Sequence, residues 1–543
     1  MMRKMTVAMA VAVAMIAAGM ASAAGAQTKS CEGLAAVGVE GAKVVSAETV
    51  GAGAFVPPGK IEPWLMGPPE FYKKLPAFCR VVVRATPSAD SDILIEVWMP
   101  AGGWNGKFQG QGNGGFAGEI GYFALGAAVL GGYATAGTNT GHSAGGTDAS
   151  WALGHPEKVA DYGHRGIHEM TRVAKAEIEA YYGSRPQHSY FGACSNGGRE
   201  ALMEAQRYPE DYDGILAGAP ANYWTHLLTE AISNAQALTF EAGSYIPSSK
   251  LPAIARAVNA ACDAKDGVTD GVLNDPQQCD FKPEWMLCKK KEDSDACLTA
   301  AQVTTMKRLY AGAYNSQDKK IFPGYLPGAE DGQGGWGPWI TGAAPGKSLL
   351  FAFGTGYFSN MVYEKADWNY KDAKLDELVK AADEKTEKSL NATDADLSRF
   401  KARGGKLIVY HGWNDPAISP LNTIDYYGSV VEKMGKAGTE AFARLYMVPG
   451  MQHCGGGPGA NAFGENGPVL GGKDAQHNIS LALEQWVEKG VAPGAVIATK
   501  YENDDQAKGV KMTRPLCPYP QVAKYKGNGD TNDAANFVCA AEK

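Results

Sequence analysis

The chain has 543 residues, of which 20% are charged and 45% hydrophobic, and its formal net charge is −7. One hydrophobic core rarely supports this length, so we expect two domains or one core that carries a large insertion. The composition is ordinary for a globular protein, and the acidic balance, with no block of Lys or Arg, disfavours a nucleic-acid partner.

Residues 1–26 have the pattern of a secretory signal peptide. Arg3 and Lys4 precede an apolar run from Met5 to Met20, and small residues follow the run. This order of charged, apolar and small residues is typical of a cleaved export signal. A membrane anchor would need about 20 apolar residues, and this run is shorter. We therefore expect a periplasmic or secreted protein with no membrane association after cleavage.

The ten cysteines agree with export. An even number of cysteines in an exported chain favours disulfides. No two of them have C-x-x-C spacing, which disfavours a zinc cluster or a redox motif. The spacing alone leaves the connectivity open, although close residues such as Cys288 and Cys297 are natural partners.

Strand and helix patterns alternate in the first part of the chain. In order, the sequence predicts a strand at 91–99, a hairpin turn at Asn105-Gly106, a glycine-rich loop at 110–118, a helix at 158–182, a strand at 189–191, a helix at 197–207 and a strand at 214–218.

The alternation fades between about residues 222 and 393 and returns with predicted strands at 406–410 and 444–448. Alternating elements on both sides of a different segment indicate one parallel-sheet domain with an insertion. We therefore predict an α/β core formed by 27–221 and 394–543, and a separate inserted domain over 222–393.

Ser195 has the surroundings of a nucleophile elbow. A predicted strand ends just before it, a helix begins just after it, and Gly197 supplies a small residue on one side. Ala193 stands where this motif usually has glycine. On this motif alone, a serine turn without catalytic significance is nearly as good an interpretation.

Two later loops favour the catalytic interpretation. Asp415 follows the strand at 406–410, and His453 follows the strand at 444–448. The carboxyl ends of parallel strands share one edge of a sheet, where ligands bind. The order Ser195, Asp415, His453 is that of an α/β-hydrolase triad. A turn-forming aspartate before proline and a loop histidine without a role are the alternatives, and neither explains the order.

Cys194 immediately precedes the candidate nucleophile, and Cys454 immediately follows the candidate base. If the two cysteines are bonded, their Cα atoms lie about 4.4–6.8 Å apart, which brings Ser195 and His453 within reach of one hydrogen bond. The alternative is that each cysteine pairs elsewhere.

This Cys-Ser, Asp and His-Cys pattern resembles the tannase and feruloyl esterase family over nearly the whole mature chain. The segments that carry the resemblance are 114–118 (GGFAG), 194–200 (CSNGGRE), 213–220 (DGILAGAP), 410–412 (YHG), 449–454 (PGMQHC) and 514–520 (RPLCPYP).

The resemblance implies an α/β-hydrolase core with a large inserted lid domain, and hydrolysis of esters of aromatic acids through an acyl-enzyme. Hydroxycinnamic and gallic acids are both possible acids. It also implies five disulfides, namely Cys194–Cys454, Cys31–Cys79, Cys262–Cys279, Cys288–Cys297 and Cys517–Cys539.

The predicted mechanism also needs backbone donors for the oxyanion. The N–H of Asn196, directly after the nucleophile, is one candidate, and Gly115 resembles the second donor of the family. We expect His453 to take the proton of Ser195 while Asp415 orients the imidazole. No organic cofactor is expected.

A second candidate site lies in the predicted lid, where 263–272 (DAKDGVTDGV) spaces carboxylates between glycines. The resemblance implies structural calcium, held by the side chains of Asp263, Asp266 and Asp270 and the carbonyls of Val268 and Val272. The spacing differs from that of an EF-hand, and the alternative is a solvated acidic turn.

We expect the lid to supply substrate specificity. Its candidates for an aromatic acyl pocket are Trp336, Trp339, Phe353, Tyr357 and Phe358. His411 resembles a family position that faces the substrate. Some relatives bind a substrate carboxylate through a lid arginine, and segment 351–358 contains none.

The expected partners are small aromatic esters, either free or attached to plant polysaccharide or polyphenol. A tannase-like depsidase and a terephthalate-monoester hydrolase are alternative activities. A carbohydrate- or polyphenol-binding protein on the same fold is the alternative without catalysis, but such a protein has no need of a triad. A serine peptidase shares the triad but not the family pattern.

Overall fold

The structure, a computed structural model, describes residues 28–58, 63–289 and 293–541. The predicted signal peptide lies outside these residues. Within the described ranges, every helix is too short or too polar to cross a membrane.

The strands are β1 (Ala42–Val50), β2 (Phe78–Ala85), β3 (Ile93–Pro100), β4 (Lys107–Gln111), β5 (Ala134–Thr138), β6 (His188–Cys194), β7 (Gly214–Gly218), β8 (Gly312–Tyr314), β9 (Lys320–Pro323), β10 (Lys406–Gly412), β11 (Ala443–Val448), β12 (Val496–Tyr501), β13 (Val510–Leu516), β14 (Gln521–Tyr525) and β15 (Phe537–Ala541).

The α-helices are α1 (Pro63–Met66), α2 (Pro69–Tyr72), α3 (Tyr122–Leu130), α4 (Pro156–Ala160), α5 (Gly166–Tyr182), α6 (Asn196–Arg207), α7 (Trp224–Ala237), α8 (Leu251–Cys262), α9 (Ala300–Ala311), α10 (Leu349–Tyr357), α11 (Leu375–Leu390), α12 (Ser398–Ala402), α13 (Pro420–Met434), α14 (Lys436–Glu440) and α15 (Ile479–Lys489).

A nine-stranded sheet forms the centre of the fold, in the order β1-β2-β3-β5-β4-β6-β7-β10-β11. Neighbouring strands from β5 to β11 in this order are parallel, whereas β1, β2 and β3 add to one side in antiparallel pairs. Helices cover both faces of the parallel part, so most residues of its strands are buried, whereas Gly192, Ala193 and Cys194 at the end of β6 are partly exposed. The predicted α/β-hydrolase class is confirmed.

The hairpin predicted at Asn105-Gly106 is wrong. The strands on its two sides, β3 and β4, are not neighbours, because β5 lies between them in the sheet. The turn is instead held by the N–H of Asn105, which donates to Gly132 O at 2.9 Å. Asn-Gly marks the turn correctly but does not determine which strand pairs with which.

Segment 222–393 lies between β7 and β10 and supplies no described strand to the central sheet, since its β8 and β9 pair with each other. An apolar cluster that includes Leu309, Tyr325 and Trp336 lies inside the insertion. A second cluster joins the insertion to the core through contacts that include Phe116 and Phe358. The insertion therefore packs on the part of the core that holds the glycine-rich loop.

The strands β6, β7, β10 and β11 are adjacent and parallel, so their carboxyl ends meet at one edge of the sheet. Cys194 at the end of β6 is in register with Gly218, and Gly412 at the end of β10 is in register with Val448. The loops that carry Ser195, Asp415 and His453 all leave from this edge.

Candidate active site

Ser195 occupies a strained turn between β6 and α6. Its backbone has φ +67° and ψ −124°, a conformation that costs a non-glycine residue on the order of 1–3 kcal/mol. The N–H of Ser195 donates to Gly218 O at 3.0 Å, which fixes the turn to the end of β7. A Cβ atom on Gly197 would lie 2.4 Å from Cβ of Ala193. Because residue 197 is glycine, the methyl group of Ala193 fits into this turn.

The three predicted triad residues are brought together in one hydrogen-bonded chain. Ser195 Oγ lies 2.9 Å from His453 Nε2, and His453 Nδ1 lies 2.7 Å from Asp415 Oδ2. This is the arrangement in which a histidine can accept a hydroxyl proton while a carboxylate holds its other nitrogen protonated.

Asp415 is completely buried and is held as an anion by its hydrogen-bond donors. Its Oδ1 accepts the N–H groups of Ala417 at 2.8 Å and Ile418 at 3.0 Å. Burial by itself would raise the pKa of Asp415, but its interactions with His453 and His411 hold this pKa well below its usual range. The carboxylate is therefore charged at any pH at which the protein works.

The expectation that His411 faces the substrate is wrong. His411 is fully buried on β10, where Nε2 lies 3.1 Å from Asp415 Oδ2 and Nδ1 lies 2.7 Å from Thr423 Oγ1 of α13. Side chains alternate between the two faces of a strand, and the face that carries His411 is covered by α13. His411 therefore contacts the carboxylate of Asp415 from the covered face of β10 and does not face the substrate.

All ten cysteines are paired as the family resemblance implies, in the bonds Cys31–Cys79, Cys194–Cys454, Cys262–Cys279, Cys288–Cys297 and Cys517–Cys539. In the second of these, the Cα atoms are 5.9 Å apart. This bond joins the elbow at the end of β6 to the histidine loop after β11.

The two candidate oxyanion donors lie on either side of Ser195. Asn196 is the first residue of α6, so its N–H has no acceptor inside the helix. Gly115 has φ +55°, and a Cβ there would lie 2.3 Å from Gly146 O, so the loop requires glycine at this position.

A buried polar network that the sequence did not reveal connects these two loops. Glu200 accepts the N–H of Asn113 at 2.8 Å and the side-chain amide of Asn196 at 2.9 Å. The hydroxyl of Tyr162 lies 2.9 Å from both Gly115 O and Asn196 Oδ1. The spacing of Asn196 and Glu200 by one helical turn was the only sequence signal for this network.

A cavity of about 860 Å³ opens above Ser195 and His453. The insertion contributes Trp339, Leu349 and Phe353 to its wall. The ring of Trp339 meets the ring of His453 edge-on, with centroids 4.8 Å apart. Of the predicted lid aromatics, Trp339 and Phe353 therefore lie at the candidate site.

The other predicted lid aromatics are not at the cavity. Trp336 is fully buried in the core of the insertion, where its ring contacts Tyr310 and Tyr325. Tyr357 and Phe358 are also fully buried and pack on each other. Their assignment to the substrate pocket is wrong. Trp336 belongs to the apolar cluster inside the insertion, and Tyr357 and Phe358 belong to the cluster that joins the insertion to the core.

The aspartates of the predicted calcium loop accept hydrogen bonds from backbone N–H groups. Asp263 accepts the N–H of Gly271 at 3.0 Å, Asp266 accepts that of Asn274 at 3.0 Å, and Asp270 accepts that of Val272 at 3.1 Å. In the described part of the chain, no three His, Cys, Asp or Glu side chains are arranged to hold a metal ion. Each carboxylate keeps further lone pairs, so these backbone bonds do not by themselves prevent cation binding.

The fold and the hydrogen-bonded Ser195, His453 and Asp415 define a serine hydrolase of the α/β-hydrolase class. The family model for tannase and feruloyl esterase matches residues 79–540. The chain belongs to this family and is a carboxylic ester hydrolase of the feruloyl esterase and tannase type.

Individual relatives agree with this assignment. An uncharacterized esterase of Xanthomonas campestris pv. campestris is 42% identical over 535 residues, which cover 94% of this chain and 91% of the relative. A probable feruloyl esterase B-2 of Aspergillus terreus is 33% identical over 85% of this chain and 86% of its own length.

Solved structures give the same result. The crystal structure of feruloyl esterase B from Aspergillus oryzae has a TM-score of 0.84 at 29% identity, covering 94% of this chain and 99% of that chain. The tannin acyl hydrolase of Aspergillus niger shares the fold, with a TM-score of 0.71 at 22% identity over 93% and 92% of the two chains.

Proposed function

We propose that the protein hydrolyses esters of hydroxycinnamic or gallic acids through an acyl-enzyme on Ser195. The observation that carries the proposal is the Ser195–His453–Asp415 chain, which opens into a cavity with the rings of Trp339 and Phe353 in its wall. An aromatic acid placed against these rings would bring its ester carbonyl beside the serine hydroxyl.

In the proposed reaction, His453 Nε2 accepts the proton of Ser195 Oγ as the oxygen attacks the ester carbonyl. Asp415 stabilises the imidazolium through Nδ1. The N–H groups of Asn196 and Gly115 would stabilise the oxyanion, and removal of one such donor typically lowers kcat by about 10²–10³. The alcohol leaves with the proton from His453, and water then releases the acid by the same steps.

The charge of the cavity wall favours a neutral ester over a terephthalate monoester. Among the described residues that line the cavity, none is Lys or Arg, whereas Glu465 and Glu484 are both present. A substrate with its own carboxylate would therefore have no cation to pair with. Esters attached to plant polysaccharide or polyphenol, including the galloyl depsides that a tannase cleaves, remain within the proposal.

The test is a panel of methyl ferulate, methyl caffeate, methyl gallate and mono(2-hydroxyethyl) terephthalate with the purified enzyme. We expect turnover of at least one of the three neutral esters and poor turnover of the terephthalate. The Ser195→Ala variant, checked for folding by circular dichroism, controls for contaminating esterases. No turnover of any neutral aromatic ester by the folded enzyme would refute the proposal.

We also propose that the enzyme is exported to the periplasm or secreted. Its five disulfides, which fit an oxidising compartment, support this proposal. Fractionation of the producing cells tests it. Recovery of the active, disulfide-bonded enzyme only from the cytosol would contradict it.

A third proposal is that loop 263–272 binds structural calcium. Burial, followed by repulsion from Asp270 and Asp263, raises the pKa of Asp266 to about 6, and a divalent cation would relieve this repulsion. We expect a chelator to lower the melting temperature by several degrees, and Asp266→Asn to abolish that difference. Asp372→Asn, at an exposed aspartate of the insertion outside the loop, is the control. No effect of the chelator on the native enzyme would exclude calcium here.

A further inference from the structure

The residues that directly precede two members of the triad bind the same segment of the insertion. Gln452 precedes His453 and Asn414 precedes Asp415, and each of these two amide side chains is only 2% exposed. Both donate to backbone carbonyl groups of residues 328–336, which we call the lid turn. The loops that carry the histidine and the aspartate are therefore both attached to one part of the insertion.

Both ends of the Gln452 amide are used by the lid turn. Its Nε2 donates to Asp331 O at 2.7 Å, and its Oε1 accepts the N–H of Gly334 at 3.1 Å. A Cβ atom on Gly332 would lie 3.0 Å from this amide, and one on Gly334 would lie 2.8 Å from it. The backbone of the lid turn therefore closes tightly around the side chain of Gln452.

Packing adds little to this attachment, because residues 331–333 are exposed. The lid turn also has a hydrogen bond of its own, in which the N–H of Trp336 donates to Glu330 O at 3.2 Å. This bond closes the turn but does not attach it to the core. The buried amide of Gln452 therefore holds the exposed part of the lid turn against the histidine loop.

Asn414 provides the second attachment, at the start of the lid turn. Its Nδ2 donates to Gly328 O, and the N–H of Gly328 donates to the carboxylate of Glu330 at 2.9 Å. These bonds do not involve Gln452. A variant at residue 452 therefore leaves the lid turn attached at its first residue.

The lid turn leads directly into the π-helical turn Gly337–Thr341, which carries Trp339. The ring of Trp339 meets that of His453 edge-on at 4.8 Å and is stacked near that of Phe353, with centroids 6.5 Å apart. Trp339 is only partly buried, so packing restrains its ring less than it restrains a fully buried ring. The side chain beside His453 thus holds the segment that brings Trp339 to His453.

Building on the proposed esterase function, we infer that Gln452 is a positioning residue that determines specificity for the acyl half of the ester. Gln452 touches no reacting atom. It holds the lid turn and thereby fixes the ring of Trp339 beside His453, where an aromatic acid would lie. Loss of Gln452 should therefore affect an aromatic acyl group, whereas an acetyl group has no ring to place against Trp339.

The test compares 4-nitrophenyl acetate with the 4-nitrophenyl ester of the aromatic acid that the enzyme hydrolyses fastest. The readout is the ratio of kcat/KM for the aromatic ester to that for the acetate, because changes in the shared chemistry cancel from it. Gln452→Met keeps the length of the side chain and removes both hydrogen bonds, and we expect it to lower this ratio about 5–20-fold. Gln452→Glu keeps the acceptor for Gly334 and should lower the ratio by less.

A double-mutant cycle shows whether Gln452 acts through Trp339. Trp339→Ala should lower the same ratio, and adding Gln452→Met to it should lower the ratio no further, because both changes affect one ring. Gln317→Met, at an exposed glutamine between β8 and β9 of the insertion, is the matched control. It should leave the ratio within about twofold of the native value.

Circular dichroism identifies the folded variants. An unchanged ratio in a folded Gln452→Met or Gln452→Glu variant would overturn the inference. A loss from Gln452→Met that is as large in the Trp339→Ala background as in the native enzyme would also overturn it. Failure of the native enzyme to hydrolyse any aromatic ester would instead count against the proposed function.

Discussion

At the level of single residues, the position of the oxyanion donors depends on side chains behind the cavity. Glu200 and Tyr162 connect Asn196, at the start of α6, to the loop that carries Asn113 and Gly115. Tyr162 lies in a π-helical turn at Asp161–Arg165, an irregularity often found at functional sites. The two N–H groups proposed to bind the oxyanion are therefore held by one network.

Glu200→Gln tests this network. Glutamine offers a donor where Glu200 presents two acceptors, so either the N–H of Asn113 or the amide of Asn196 loses its partner. We expect kcat to fall about 10-fold with little change in KM, because the loss affects the transition state. Steady-state kinetics on the best methyl ester measures the effect.

Glu204→Gln is the control, one turn further along α6, where both carboxyl oxygens lack a hydrogen-bond partner among the described residues. It should leave kcat unchanged. An unchanged kcat in a folded Glu200→Gln variant would show that the network does not position the oxyanion donors.

At the level of elements, the site is assembled from loops that follow β6, β10 and β11, and one covalent bond ties two of these loops together. Cys194 ends β6, and Cys454 follows the catalytic histidine after β11. The bond spans a sequence separation of 260 residues, which includes the whole insertion.

Removal of this bond should impair catalysis in a chain that still folds. In the double variant Cys194→Ala/Cys454→Ala we expect kcat to fall about 10–100-fold, because small displacements of a catalytic pair are costly. The melting temperature should also fall, since the bond closes a long loop. Steady-state kinetics at 25 °C measures the change in kcat, and scanning calorimetry measures the change in melting temperature.

The matched control is Cys288→Ala/Cys297→Ala, which removes a bond with a sequence separation of 9 in the insertion. It should keep full activity. Full activity of the Cys194→Ala/Cys454→Ala variant, with no bond between the loops, would show that the disulfide does not position the Ser195–His453 pair.

The sequence predicted those parts of the site that depend on local pattern and on order along the chain. The turn at Ser195 and the loops at Asp415 and His453 follow from strands with clear apolar patterns. Which face of a strand or helix a side chain occupies depends on packing that is remote in sequence. For this reason the positions of His411 and Trp336 were wrong, and the role of Glu200 was missed.

At the level of the whole molecule, several buried carboxyl groups make the stability of the fold depend on pH. Burial raises the pKa of Glu177, Glu200 and Glu330 to about 7. In the unfolded chain such groups ionise near pH 4.5. Between these values the folded protein holds more protons, so these groups make it less stable as the pH rises from about 4.5 to 7.

Glu177→Gln tests this contribution. Glu177 on α5 is fully buried, and neither carboxyl oxygen has a hydrogen-bond partner in the described residues. Glutamine keeps the shape and removes the charge. We expect the variant to match the native enzyme at pH 4.5 and to be more stable by roughly 1–3 kcal/mol at pH 8. Denaturant unfolding at both values measures the difference.

Glu179→Gln, two residues further on the same helix and exposed beside Arg185, is the control. The free energy of unfolding of this variant should stay within about 0.5 kcal/mol of the native value at both pH values. A stability difference between Glu177→Gln and the native enzyme that is no larger at pH 8 than at pH 4.5 would show that Glu177 does not make this contribution.

The role of Ser195 as the nucleophile can be tested by mass spectrometry after reaction with a fluorophosphonate. We expect one adduct per chain, mapped to the peptide that contains Ser195, with esterase activity lost in proportion to labelling. Ser195→Ala should give neither adduct nor activity. Labelling at another residue, or ester hydrolysis that survives complete modification of Ser195, would contradict it.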